Sequence, residues 1–321
     1  MPSSQTAPSR AGAVLPQFLL LALVWGASFL FIKVGLRGLS PGQVVLGRLL
    51  AGATALGALT ALRRQRLPRD PAVWAHLAVV SVLICVAPFL LFAWAEQHLS
   101  SGLASIYNAT TPLMTTVVAL LALPAERPTR TRVTGLLTGF TGVLIVLGPW
   151  NTASGAPVTA QLACLAATAC YGCAFVYLRR YVAPRGIPAL PAATVQVGLA
   201  AAIVLALSPV VATGPTHLTG PVVGSVLALG VLGTGVAYVW NTNVVHRWGA
   251  TTASTVTYLT PLAGVGLGVL VLSETPTWNQ PLGALIVVIG IAISQNRLHP
   301  PHRTPTPPPA SLPAPERPTQ R

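Results

Sequence analysis

Five acidic residues, six histidines and four cysteines are all that 321 residues offer for acid–base, metal or thiol chemistry. The acidic residues are scattered, with no paired carboxylates. There is no His-Glu-x-x-His, no phosphate-binding glycine loop and no Ser/His/Asp set, so catalysis finds no foothold. Cys170-x-x-Cys173 has the spacing of a redox or metal pair. With no second pair and no clustered histidines, and with Cys85 and Cys164 also in apolar stretches, the cysteines read as small packing residues. No metal or cofactor is expected. Two charges remain that sit inside apolar segments. Arg48 falls about two turns into one of them, either anchoring the helix or contacting a ligand. Glu96, beside His98, lies near the end of another, as a coupling group or an interfacial one.

Those segments dominate the chain. Hydrophobic residues make up 53% and charged residues 7%, with a mean hydropathy of +0.68, against ~25% charge in a soluble domain. Ala11–Ile32, Leu99–Ala125, Trp248–Ser273 and Thr275–Asn296 carry no charge, and each can cross a bilayer, which needs about 20 apolar residues. Val133–Leu178 and Gly186–Val245 each hold two spans, divided at the turn-rich stretches Pro149–Pro157 and Thr213–Pro221. With Gln43–Leu62 and Val73–Gln97, ten helices are predicted, near 15–36, 43–62, 73–97, 102–123, 132–149, 159–179, 188–211, 221–245, 250–272 and 277–297. Met1–Ala13 lacks a signal-cleavage pattern, so the first helix is expected to persist. His299–Arg321 holds nine prolines and reads as a disordered tail.

The chain repeats itself. Ala104, Ser105 and Pro112 precede Ala253, Ser254 and Pro261 by 149 residues; Glu126, Gly135 and Gly142 precede Glu274, Gly283 and Gly290 by 148. Trp25-Gly26-x-x-Phe29-x-x-x-Lys33 returns as Tyr171-Gly172-x-x-Phe175-x-x-x-Arg179. The chain therefore divides into a tail (1–14), a first repeat (15–149), a second repeat (158–297) and a second tail (298–321). Five helices per repeat is an odd number, so the second copy enters the membrane inverted, a construction used by secondary transporters. The net charge of +14 suggests nucleic acid until its placement is seen. If the N-terminus is cytoplasmic, sixteen of nineteen basic residues fall on inside segments, and only Lys33, Arg37 and Arg48 do not. This positive-inside bias puts both termini in the cytoplasm and makes the partner a lipid bilayer, with no nucleic acid.

Trp25-Gly26 with Phe29 and Lys33, the early Arg48 and the doubled Ala-Ser…Pro-Leu…Glu…Pro…Gly blocks resemble the EamA family of the drug/metabolite transporter superfamily over roughly residues 15–297. The resemblance implies an all-α membrane fold of two inverted five-helix repeats. It also implies a central cavity lined by helices one, three, four, six, eight and nine, with five and ten at the periphery. Pro112 and Pro261, each after a Thr and near mid-helix, are predicted to bend helices four and nine at the substrate cavity. Trp25, Tyr107, Asn108, Tyr171, Tyr238, Asn243 and Tyr258 are the remaining cavity candidates. They supply aromatics and amides with almost no fixed charge, a lining for a small neutral or zwitterionic metabolite such as an amino acid. The expected function is a secondary carrier of the cytoplasmic membrane, leaning to export. A multidrug or amphipathic-compound efflux carrier is the alternative, and a channel or non-transport membrane module the other class. Gly135-x-x-x-Gly139 permits close helix packing, within the chain or in a homodimer.

Overall fold

The computed structural model describes residues 14–122, 129–147, 157–253 and 256–294. Among them every regular element is helical. The first repeat supplies α1 (Val14–Gly35), α2 (Pro41–Leu62), α3 (Pro71–Ser81), α4 (Ala87–Ala95), α5 (Ser101–Asn108), α6 (Thr111–Ala122) and α7 (Arg130–Leu147). The second supplies α8 (Val158–Tyr177), α9 (Ala189–Val211), α10 (Gly220–Leu227), α11 (Ala237–Ala253), α12 (Val256–Leu272) and α13 (Asn279–Ser294). Among the described residues eight helical segments are long and apolar enough to cross a membrane, and two shorter apolar helices, Leu259–Leu272 and Asn279–Ser294, stand beside them. Residues such as Leu121, Leu137, Val210 and Leu270 point outward, the last 82% exposed, as a lipid-facing surface requires.

Local chemistry starts these helices where the turns were expected. Ser40 and Gln43 form a reciprocal capping box at α2, with Pro41 just inside it. The Asp70 carboxylate accepts the Ala72 N–H at 2.8 Å ahead of Pro71, and Ser100 accepts from Leu103 N at the head of α5. One boundary differs from the sequence reading, which ended helix eight at 245 and began helix nine at 250. Instead α11 continues to Ala253. No proline lies between 237 and 253, and Gly249 alone costs a helix only about 1 kcal/mol.

The two copies meet about a pseudo-two-fold axis. A Cβ at Gly135 would stand 2.7 Å from the Gly290 carbonyl, and one at Gly290 would stand 2.7 Å from that of Gly135. Gly142 and Gly283 behave the same way, at 2.8 and 2.7 Å. Since Gly135 corresponds to Gly283 and Gly142 to Gly290, each pair maps onto the other when the copies are exchanged, the mark of a self-complementary interface. The glycines of helix five thus serve a contact within the chain, bringing α7 and α13 backbone to backbone. Gly26 of α1 lies against Ala263 and Gly264 of α12, and its counterpart Gly172 of α8 lies against Met114 and Thr115 of α6. Those partners are again 149 residues apart. The buried clusters follow the same plan, each drawing on both copies: Val44, Leu49 and Phe89 pack with Val197 and Leu229, and Leu103 and Tyr107 with Cys164 and Ile291.

Candidate substrate site

Two spans lose α-helical regularity at corresponding places. Between α3 and α4 the backbone is π-helical over Val82–Val86, and between α10 and α11 over Ala228–Val236. Shifted by 148 residues, the first falls inside the second. A π segment inserts an extra residue into the turn and frees a carbonyl, which is why such segments recur at functional sites. Both face Arg48. Its guanidinium carbon lies over the Phe89 ring, 3.7 Å from the centroid, and its Nε reaches the Thr234 hydroxyl at 3.4 Å. The side chain is buried, with 9% of the residue exposed. Tyr171, Cys85, Tyr238 and Glu96 all act on it electrostatically.

Gln196 of α9 ties this layer together. Its side-chain amide nitrogen donates to the Tyr238 hydroxyl at 3.3 Å and to Cys85 Sγ at 3.6 Å, while its backbone carbonyl accepts from the Ser81 hydroxyl at 2.7 Å. Tyr171 stacks on Phe92, which meets Phe29 edge-on at 5.5 Å. Tyr238 also belongs to a cavity of about 480 Å³ that runs to the end of the bundle where Arg63 is exposed. That volume suits a small metabolite. Gln17, Leu190, Trp240 and Asn243 share the lining, and the Asn243 amide donates to the Gln17 side chain at 2.5 Å. Trp25 packs beside this wall with Phe18, Ala237 and Val256.

The remaining sequence candidates lie elsewhere. Tyr107 is fully buried, its hydroxyl donated to Gln161 and its ring packed against Leu103 and Cys164. Asn108 ends α5 and accepts the Thr111 hydroxyl on its carbonyl at 2.7 Å. Pro112 does not bend a continuous helix: α5 stops at Asn108 and Pro112 opens α6, where its missing N–H costs nothing. Pro261 sits within α12. The side chain of Tyr258, the residues Ser254 and Glu126, and both tails beyond 13 and 294 lie outside the described residues. Helices two and seven, through Arg63 and Leu190, contribute to the cavity mouth, which the aromatic pattern gave no reason to expect.

Glu96 stands at the C-terminal end of α4. It is completely buried, and neither carboxylate oxygen has a hydrogen-bond partner. Lys33 bypasses the carboxylate and donates to the Glu96 and Leu99 carbonyls, at 2.5 and 2.7 Å, pulling the α4–α5 turn inward onto α1. At this same end Glu274 accepts backbone N–H groups of Ser101 and Gly102, His217 N donates to the Gly38 carbonyl at 2.8 Å, and Gln43 donates to Ala212 and Gly214. The loops of the two copies are thus bonded together opposite the cavity mouth. The cysteines are free thiols, Cys85 and Cys164 buried, Cys170 half-buried and Cys173 exposed.

Known proteins match across this architecture. The model of the EamA-like transporter family matches twice, at residues 14–148 and 158–295. The uncharacterized transporter YoaV of Bacillus subtilis is 26% identical over 273 residues, covering 84% of this chain and 92% of that protein. A probable amino-acid metabolite efflux pump of Salmonella typhimurium is 24% identical over 285 residues, covering 86% and 92%. The uncharacterized inner membrane transporter YedA of Escherichia coli is 24% identical over 290 residues, covering 88% and 92%. A solved crystal structure at 20% identity superposes with a TM-score of 0.61 over 90% of this chain and 98% of that one, which shows the shared fold. With two copies of the family's unit meeting about a common axis inside one bundle of membrane-crossing helices, this chain belongs to the EamA-like transporter family.

Proposed function

We propose that the protein is a secondary carrier that exports a small neutral or zwitterionic metabolite of the amino-acid class across the cytoplasmic membrane by alternating access. The observation that carries this reading is the 480 Å³ cavity, lined by Tyr238, Trp240, Gln17 and Asn243, open at one end of a bundle whose other end is bonded shut. One-sided access to a site between two repeats is what a carrier needs in one of its two states. Two relatives named as probable amino-acid metabolite efflux pumps, in Salmonella typhimurium and Escherichia coli, support the substrate class and the direction. The arginine distribution supports an orientation with both termini and the Arg63–Asp70 loop in the cytoplasm, in which the cavity faces inward and the Glu274 end faces out. A broader efflux carrier for amphipathic compounds would use the same aromatic wall.

The test is counterflow and efflux in proteoliposomes loaded with labelled amino acids, with and without a pH gradient. Saturable, counterflow-stimulated movement is expected. Transport of multiply charged phosphates alone would refute the substrate class. Unsaturable flux without counterflow would indicate a channel.

A further inference from the structure

A guanidinium brings five N–H donors and a charge that it keeps at any physiological pH. In the interior Arg48 spends them poorly. Its contacts among the described residues are one long hydrogen bond from Nε to Thr234 and the face of Phe89. Among the described residues no carboxylate lies within ion-pair distance of it. Glu96 shares its interior and acts on it electrostatically, yet the Glu96 oxygens make no hydrogen bond to it or to any other described group. Phe89, against which the guanidinium lies, precedes Glu96 by seven residues, about 10 Å of helix. A buried cation with no carboxylate hydrogen-bonded to it is expensive, and the spans that supply Phe89 and Thr234 carry the matched π segments at Val82–Val86 and Ala228–Val236.

We infer that Arg48 receives the carboxylate of the transported solute, which enters past Tyr238 from the cavity and leaves its side chain among Tyr238 and Trp240. This rests on the carrier reading and narrows it to solutes bearing a single carboxylate beside an apolar or aromatic group. A carboxylate offers two oxygens in the plane and spacing of the guanidinium fork, so it fits the unused donors bidentately. Phe89 covers the guanidinium on one side and keeps water from it there, while the Thr234 contact engages Nε and leaves both terminal nitrogens for the ligand. The corresponding carboxamide cannot neutralise the charge and presents one oxygen instead of two. It should be rejected strongly, as sites built around a buried polar partner reject analogues that lack it.

The experiment uses the purified full chain, with thermal unfolding read against increasing L-leucine, L-phenylalanine and their primary amides at pH 7. The wild type is expected to respond to the acids at concentrations at least about 100-fold lower than to the amides. Arg48→Gln should lose that preference and meet acid and amide alike, while Arg48→Lys, a point charge without the fork, should keep part of it. Equal response of the wild type to acid and amide overturns the assignment, as does an Arg48→Gln protein that still prefers the acid. Should Arg48→Gln fail to fold, the wild-type comparison and Arg48→Lys decide the question alone. Counterflow of any solute by the same wild-type preparation shows whether the carrier reading survives independently. Counterflow with no acid-over-amide preference sinks the role of Arg48 only.

Discussion

The Glu274 carboxylate accepts the backbone N–H of Ser101 at 2.7 Å, and with its second oxygen that of Gly102 at 3.0 Å. A side chain from the loop before the last helix of the second repeat thereby caps the fourth span of the first. An N-terminal turn leaves its first N–H groups unpaired and carries partial positive charge, so a carboxylate there satisfies both deficits. Gly268 leaves the room, since a Cβ at that position would collide with the carboxylate.

Glu274→Ala should weaken this closure by about 1 kcal/mol, the usual worth of a helix cap. The measurement is alkylation of Ser101→Cys by a membrane-impermeant maleimide in cells. Faster labelling in the Glu274→Ala background is expected, and an unchanged rate would mean that other contacts hold this end closed.

Topology gives a second prediction. In a background free of the four native cysteines, Thr275→Cys should react with an impermeant probe added from outside, and Thr129→Cys should not. The reversed pattern would place the termini on the far side and invert the reading of the basic residues.

Glycines at the α7–α13 seam should tolerate nothing larger. Gly142→Val and Gly290→Val would drive a side chain into facing backbone and are expected to cost at least about 1–3 kcal/mol, seen as a lower melting temperature in detergent. Gly198→Ala and Gly224→Ala, where a Cβ meets nothing within 4 Å, should be neutral or raise stability by about 0.5–1 kcal/mol. Equal tolerance at all four positions would contradict the packing.

Glu96→Gln removes a buried ionisable group whose oxygens have no hydrogen-bond partner among the described residues, so the protein should fold and insert at wild-type abundance. If efflux is proton-coupled, the stimulation by a pH gradient should vanish in this variant while exchange under equal pH continues. Gradient stimulation that survives the substitution would rule out Glu96 as the coupling group.

Much of this was legible because duplication leaves paired signals. Gly135 with Gly283 and Gly142 with Gly290 announced the repeat, and their close contacts are what the axis demands. Arg48 was visible as a charge inside a span. Its bed was not, since Phe89 and Thr234 lie 41 and 186 residues further on and belong to the apolar background of their helices. Glu96 read as interfacial because it stands at a helix end by count. Its burial was not legible, and neither was Lys33 reaching across from α1 to the carbonyls of the turn, a contact with no periodicity to betray it. The π segments were equally silent, for Val82–Val86 and Ala228–Val236 contain no proline. Pro112 misled in the opposite sense, standing at a true interruption but just past it, where proline starts a helix rather than bending one.

The α7–α13 seam presents the same surface from both of its sides, so the covalent joint between residues 147 and 158 is not what teaches one half to recognise the other. Two separately encoded polypeptides divided there would carry complementary faces already, and a lone half would carry a face that fits a second copy of itself turned upside down. Covalent fusion then fixes stoichiometry and orientation rather than creating the association. It also frees the halves to diverge, which is how Arg48 could come to lie on Phe89 while the matching position near Gln196 took on an amide.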